Sequence, residues 1–343
     1  MSSRTILLGL LLLSCEPSTK TDEVFFVRSG GVDMPVWVRG DPAAKTVIVL
    51  IAGGPGGPGM FYADWPAFQR LTKSVLIAFW DQRGAGGSIG KATPDSLTLK
   101  QFTDDLSAVL SVVEARYQHP RIVLLGHSWG GLVGNAFLSD PSQQARASAW
   151  IYVDGAHDVP KALGLNRDWA ISQAQALVDA GTNADHWRAE IDWLTSRTTV
   201  NCSDTNRLSS DVYALDPAHS MTSAGLGSAW LNFSTPFDGM ATLANQSSTL
   251  GPVADDGSAL CQALMTDLSS SLPAITIPSL VIWGRYDRTI PLAMGQEAFT
   301  LLGATEADKS FVILEDAGHH PWTTSQDAFA EPVEQFLATR VVK

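Results

Sequence analysis

Positive charge is in short supply. The 343 residues carry 23 Lys and Arg against 35 Asp and Glu, a formal net charge of −12. Nucleic acid is held by a basic face, so this balance argues against it as a partner and mildly favours neutral or cationic substrates. Long apolar runs are also lacking. The run Ile6 to Leu13 is too short to cross a bilayer, which takes about 20 residues. Histidine is sparse, and His119, His157, His186 and His219 show no metal-ligand spacing, so no metal is expected. Cysteine is limited to three residues. With 45% apolar and 17% charged residues, what remains is an ordinary globular composition. There is chain enough for one large domain, or one domain and an insert.

The start of the chain reads as an address rather than as fold. Arg4 supplies a positive beginning, the short apolar run follows, and small Ser14 precedes Cys15. Leu12-Leu13-Ser14-Cys15 resembles the lipobox of bacterial lipoproteins, in which the cysteine becomes the lipidated first residue. Residues 1–15 are therefore expected to be an export signal and 16–22 a polar tether. That would place the protein in the bacterial cell envelope, touching the membrane only through a lipid on Cys15. A plain cleaved signal, giving a periplasmic or secreted soluble protein, is the alternative. In such an oxidising compartment Cys202 and Cys261 could pair, closing a loop of about 60 residues worth roughly 4 kcal/mol.

Downstream, strands and helices alternate. Val24 to Arg28 and Met34 to Arg39 flank Ser29-Gly30-Gly31, a hairpin signal. Thr46 to Ala52, Val75 to Trp80, Ile122 to Leu125 and Ala149 to Asp154 are continuous apolar runs suited to buried parallel strands. Phe61 to Leu71 is weakly helical. Thr98 to Tyr117 reads as an amphipathic helix with a capping box at Thr98 and Gln101. From about Ala156 to Pro273 the alternation stops, and helical patterns with several tryptophans suggest a cap inserted between two strands. Strands resume at Ser279 to Gly284 and Ser310 to Leu314, and a terminal helix is expected from Pro332. The expected architecture is α/β, a mostly parallel sheet of about eight strands with helices on both faces. Its core spans 23–155 and 274–343, and the helical cap insert spans 156–273.

Chemistry concentrates after Leu125. Gly126-His127-Ser128-Trp129-Gly130 matches G-x-S-x-G, with a strand before it and a helical pattern after it. A sharp turn there presents Ser128 as a nucleophile, and the two glycines allow close packing of strand and helix. A serine needs a base, and the base needs an orienting group. Asp287 follows one late strand and His319 the next; Asp316 and His320 are the substitutes for these roles. Gly54-x-Gly56-x-x-Gly59 formally matches a dinucleotide fingerprint with Asp81 downstream, but Pro55 and Pro58 remove N–H donors a pyrophosphate would use.

Gly53-Gly54-Pro55-Gly56, Asp81-Gln82-Arg83-Gly84-Ala85-Gly86-Gly87-Ser88, the Ser128 motif, Asp287 and His319 together resemble the proline iminopeptidases and their relatives among α/β-hydrolases. The resemblance covers nearly all of the chain but the cap. One departure is Ala52, where that family usually has histidine. The resemblance implies an oxyanion hole made by the backbone N–H groups of Gly54 and Trp129, acyl-enzyme chemistry, and no cofactor. It implies release of N-terminal residues from small peptides, with an acidic cap residue holding the free ammonium; Asp185, Glu190 and Asp192 are candidates. It fits equally an esterase or amidase on small acyl substrates. An inactive envelope binding protein is the reading from a different class.

Overall fold

The structure, a computed structural model, describes residues 21–90, 92–219 and 255–341. Cys15, the expected signal and most of the expected tether lie outside the described residues. Chain entry is earlier than expected. Strand β1 (Thr21–Ser29) already pairs Thr21 with Gly40 of β2 (Val32–Gly40), so the last two residues assigned to the tether belong to the sheet. Gly30 and Gly31 turn this hairpin with φ of +52° and +79°, a region glycine enters without a Cβ penalty.

Strands β3 (Thr46–Ile51), β4 (Leu76–Trp80), β6 (Arg121–His127), β7 (Ala149–Val153) and β8 (Ser279–Gly284) are the apolar runs expected from sequence, and almost every residue in them is buried. A ninth strand was not anticipated: Ile89–Gly90, two residues long, forms β5 beside β2. With β9 (Lys309–Leu314) the sheet has nine strands, in the order β1-β2-β4-β3-β6-β7-β8-β9 with β5 off the path. Pairings from β4 through β9 are parallel, and those of β1, β2 and β5 antiparallel. Parallel strands need crossovers, and here helices supply them on both faces.

Helix α1 (Pro66–Leu71) follows a short 3-10 turn (Gly59–Asp64) that replaces the first half of the expected helix. Helix α2 (Leu99–Arg116) buries Phe102, Leu106, Val109, Leu110 and Val113 on one stripe. Its capping box is half made: Thr98 Oγ1 accepts from Gln101 N at 3.1 Å, but the Gln101 side chain donates to Asp105 instead of turning back. Helices α3 (Trp129–Leu138) and α4 (Pro141–Gln144) follow β6. Between β7 and β8 come α5 (Val159–Asp179), α6 (Ala184–Ser196), α7 (Thr205–Leu215) and α8 (Ala259–Leu264), with no strand of the sheet among the described residues there. Helix α9 (Leu292–Leu301) connects β8 to β9, and α10 (Pro321–Thr324) precedes α11 (Gln326–Phe336).

The terminal helix corrects the sequence reading, because it starts at Gln326 and carries Pro332 in its interior. An interior proline costs about 3 kcal/mol. Phe329, Val333 and Phe336 are buried against the sheet, each worth roughly 1.5–3 kcal/mol, so packing outweighs the lost backbone bond. One apolar cluster gathers α2, α3, α5 and α9 on one side of the sheet, and a second gathers α1, α10 and α11 on the other.

Cys202 and Cys261 are joined, with Cα atoms 6.0 Å apart and a sequence separation of 59. The bond ties the turn before α7 to α8. Asp256 lies beside the pair. The two sulfurs are spent on each other, which leaves no thiolate for a metal.

Candidate active site

Ser128 stands between β6 and α3 with φ of 54° and ψ of −121°. A non-glycine residue held there costs on the order of 1–3 kcal/mol, and the surroundings over-determine it. Its carbonyl accepts from Gly131 N at 2.8 Å and Ala156 N at 2.9 Å, and its N–H donates to Val153 O at 3.2 Å. A Cβ on Gly126 would come within 2.6 Å of the Gly130 carbonyl, and one on Gly130 would run into the Ile51 carbonyl. Glycine at both positions is what lets the start of α3 pack tightly against β6 and β3 beneath the serine.

The loops after β8 and β9 bring the other two groups to it. His319 Nε2 lies 2.9 Å from Ser128 Oγ, and His319 Nδ1 lies 2.8 Å from Asp287 Oδ2. A carboxylate can only accept, so Nδ1 carries the proton and Nε2 is left to accept from the serine. Asp287 is fully buried, and its Oδ1 accepts from Thr289 N at 2.7 Å and Ile290 N at 2.9 Å. Those two N–H groups hold the carboxylate in place and stabilise its charge. Asp316 is exposed on the same turn as Ala317. His320 forms part of the cavity wall beside His319, and burial holds its imidazole well below the usual histidine range.

Five residues to which sequence reasoning gave no site role, Gln82, Asp81, Arg83, Tyr62 and Asp154, complete the frame. Gln82 donates to the Ala52 carbonyl at 2.9 Å and accepts from Trp129 Nε1 at 3.1 Å, tying the end of β3 to the first residue of α3. Asp81 accepts from Met60 N and Gly87 N, and Arg83 pairs with buried Asp105 at 2.5 and 2.7 Å. The motif after β4 is thus a set of braces for the loops around the serine. Tyr62 accepts from Gly53 N at 3.0 Å and meets His127 Nδ1 at 2.8 Å. Asp154, at the end of β7 with φ of 42°, accepts from Gly284 N at 2.8 Å. Burial and the neighbouring Asp287 charge push its carboxyl well above the usual range. The signal for Gln82 was present in the motif; for Tyr62 and Asp154 nothing local distinguished them from core.

A cavity of about 680 Å³ opens over Ser128. Gly54 and Trp129, the expected oxyanion donors, line it. Trp129 N is a first-turn N–H of α3, which has no partner within its helix. Gly54 has φ of +139°, and a Cβ there would crowd Gly56 N at 2.5 Å. The proline-bearing glycine loop expected to discourage a dinucleotide forms the rim instead. The opposite wall comes from α5, α7 and α8, with Val159, Leu163, Leu264, Thr205, Ser209 and Tyr213.

The proposed ammonium-binding acids are not in this wall. Glu190 pairs with Arg207 at 2.8 Å, Asp192 is exposed on α6, and Asp185 is exposed and pairs with Arg188. No carboxylate lines the cavity among the described residues. The reason is rotational: Trp187 and Leu194 are the residues of α6 that are buried, and the acids fall on its other sides.

The alpha/beta hydrolase family profile matches residues 48–331. Among curated relatives, the probable aminopeptidase YbaC of Bacillus subtilis (strain 168) is 28% identical over 106 residues, 30% of this chain and 33% of that protein. Proline iminopeptidase of Lactobacillus acidophilus is 26% identical over 162 residues, 44% of this chain and 53% of that protein. The matched part of the chain therefore spans about a third to a half of the length of these relatives. The crystal structure of proline iminopeptidase from Mycobacterium smegmatis superposes with a TM-score of 0.66 at 19% identity, covering 93% of this chain and 98% of that one. With the serine elbow, the mostly parallel sheet and a profile match over most of its length, the chain belongs to the alpha/beta hydrolase family and is an enzyme of that fold.

Proposed function

We propose that this enzyme is a serine hydrolase that works through an acyl-enzyme and takes an uncharged acyl group as substrate. The observation that carries the reading is the continuous chain from Ser128 Oγ through His319 to Asp287 at the floor of a largely apolar cavity. Ser128 attacks the carbonyl carbon as His319 Nε2 takes its proton. The tetrahedral oxyanion falls to the N–H groups of Gly54 and Trp129. His319 then gives the proton to the leaving group, and water repeats the sequence to release the acid. Asp287 keeps its charge throughout and stabilises the imidazolium. The absence of a carboxylate among the described lining residues favours an ester or amide over a substrate with a free ammonium.

The second reading, an aminopeptidase acting on N-terminal residues of small peptides, draws its support from the relatives named above. A panel separates the two: a short-chain aryl ester, an aminoacyl arylamide and its N-blocked analogue. Fastest turnover of the ester, with no preference for the free amine, supports the first reading; preference for the free amine overturns it. A fluorophosphonate probe should label the protein, and Ser128→Ala should abolish labelling and turnover while leaving the melting temperature near that of the parent. We also propose export and lipid anchoring at Cys15, a reading supported by the lipobox-like start and by a disulfide suited to an oxidising compartment. Labelling of the expressed protein by a fatty-acid probe, lost in Cys15→Ala, is the expected result.

A further inference from the structure

Beside the three reacting groups runs a second chain of hydrogen bonds that the mechanism does not use. Gly53 N–H donates to Tyr62 Oη at 3.0 Å, and Tyr62 Oη stands 2.8 Å from His127 Nδ1. His127 Nε2 stands 2.8 Å from the backbone carbonyl of His319. The protons on this chain assign themselves. A carbonyl can only accept, so Nε2 carries the hydrogen and donates to it. Neutral Nδ1 then accepts, and the hydroxyl of Tyr62, already receiving from Gly53, donates its single proton there. His127 stays neutral because burial holds it well below the usual histidine range, and a proton on either neighbouring imidazole, His319 or His320, would only repel a second one there.

We propose that Tyr62 and His127 act together as positioning residues, a two-membered strut that sets the spacing between the oxyanion loop and the base. One end holds Gly53, the neighbour of the donor Gly54. The other holds the backbone of His319 itself, and His127 is bonded directly to Ser128 in the chain. The strut therefore touches the origins of all three: donor, base and nucleophile. It is also closely packed. Tyr62 meets Phe68 at 5.6 Å and Trp322 at 4.9 Å between ring centres, His127 meets Trp322 at 4.6 Å, and a Cβ on Gly53 would fall 2.7 Å from His127 Nδ1. A pair locked on every side transmits a displacement instead of absorbing it.

This proposal rests on the serine-hydrolase reading, so parent turnover and the null Ser128→Ala are measured first. Tyr62→Phe removes the hydroxyl and keeps the ring. Because a misplacement of about 1 Å in a reacting group costs on the order of 100-fold, kcat should fall by about 10- to 100-fold with KM within about twofold. His127→Leu should lose at least as much, and His127→Gln, whose amide can still donate to the His319 carbonyl, should recover part of it. The double variant Tyr62→Phe/His127→Leu should be no slower than His127→Leu alone, because the two act as one unit. A readout without substrate accompanies these: the low-field proton resonance between His319 and Asp287 should broaden or shift in Tyr62→Phe. Losses that add in the double variant, a loss confined to KM, or kcat in Tyr62→Phe within about twofold of the parent with that resonance unmoved would each overturn the strut. An inactive parent that keeps the resonance shift would sink the hydrolase reading and leave the strut standing.

Discussion

Replacing Asp287 by Asn changes one atom and almost no volume, yet the structure dictates how that atom must sit. Thr289 N and Ile290 N both point at Oδ1, from 2.7 and 2.9 Å. An asparagine must therefore turn its carbonyl toward them. The reverse orientation would set an NH2 group against two buried N–H donors and strand each, at about 1–3 kcal/mol apiece. With the carbonyl so placed, the amide NH2 faces His319 Nδ1, which sits 2.8 Å from the other oxygen in the parent. Nδ1 must then accept, and the imidazole proton moves to Nε2, aimed at Ser128 Oγ. The base now presents a proton where it should receive one. In the well-studied serine triad this wrong tautomer costs about 10⁴ in kcat, equivalent to about 5.5 kcal/mol of transition-state stabilisation. The assay is steady-state turnover of the best ester together with the second-order rate of fluorophosphonate labelling, on protein whose circular dichroism and melting temperature match the parent. Both rates should fall by a similar factor. Activity within about tenfold of the parent would refute the claim that Asp287 orients the base, because no other arrangement of this amide restores the tautomer.

Two further outcomes follow from the region between β7 and β8. Cys202→Ser, or full reduction verified by alkylation, removes a link across 59 residues, worth about 4 kcal/mol in the chain-entropy view. The thermal transition should drop by several degrees and KM should rise, because the bond anchors α7 and α8, which line the cavity. An unchanged transition in the alkylated protein counts against this. Burial and the nearby Glu190 charge raise the Asp211 carboxyl to about 6. The folded state therefore holds this proton more tightly than the unfolded chain, and the associated stability is present in acid and lost as pH rises through about 6. Asp211→Asn should raise the melting temperature at pH 8 but not at pH 4; a gain at pH 4 alone would contradict the assignment.

Much of the core was legible in the linear order of residues. Buried parallel strands must be apolar throughout, so β3, β4, β6, β7 and β8 announced themselves, and a strand, a tight G-x-S-x-G and a helix could place Ser128 without coordinates. Local composition also marked Asp287 and His319 as loop residues after late strands, with Asp316 and His320 left as rivals. Choosing between them required the third dimension: which carboxylate meets two backbone N–H groups, and which imidazole faces the hydroxyl, depends on how β8 and β9 are laid beside β6. The same holds for the misread elements. Pro332 looked like a helix start because proline ends interior hydrogen bonding, and only burial of Phe329, Val333 and Phe336 against the sheet made it an interior residue. Glu190 and Asp192 looked available because a helix can turn any face to a cavity, and the packing of Trp187 and Leu194 set that rotation. Tyr62 and Asp154 left no local trace, since a hydrogen bond between residues 65 or 130 positions apart carries no sequence period. What one stretch of chain dictates is its own backbone and its apolar face; which polar groups meet across the sheet is decided when the strands close.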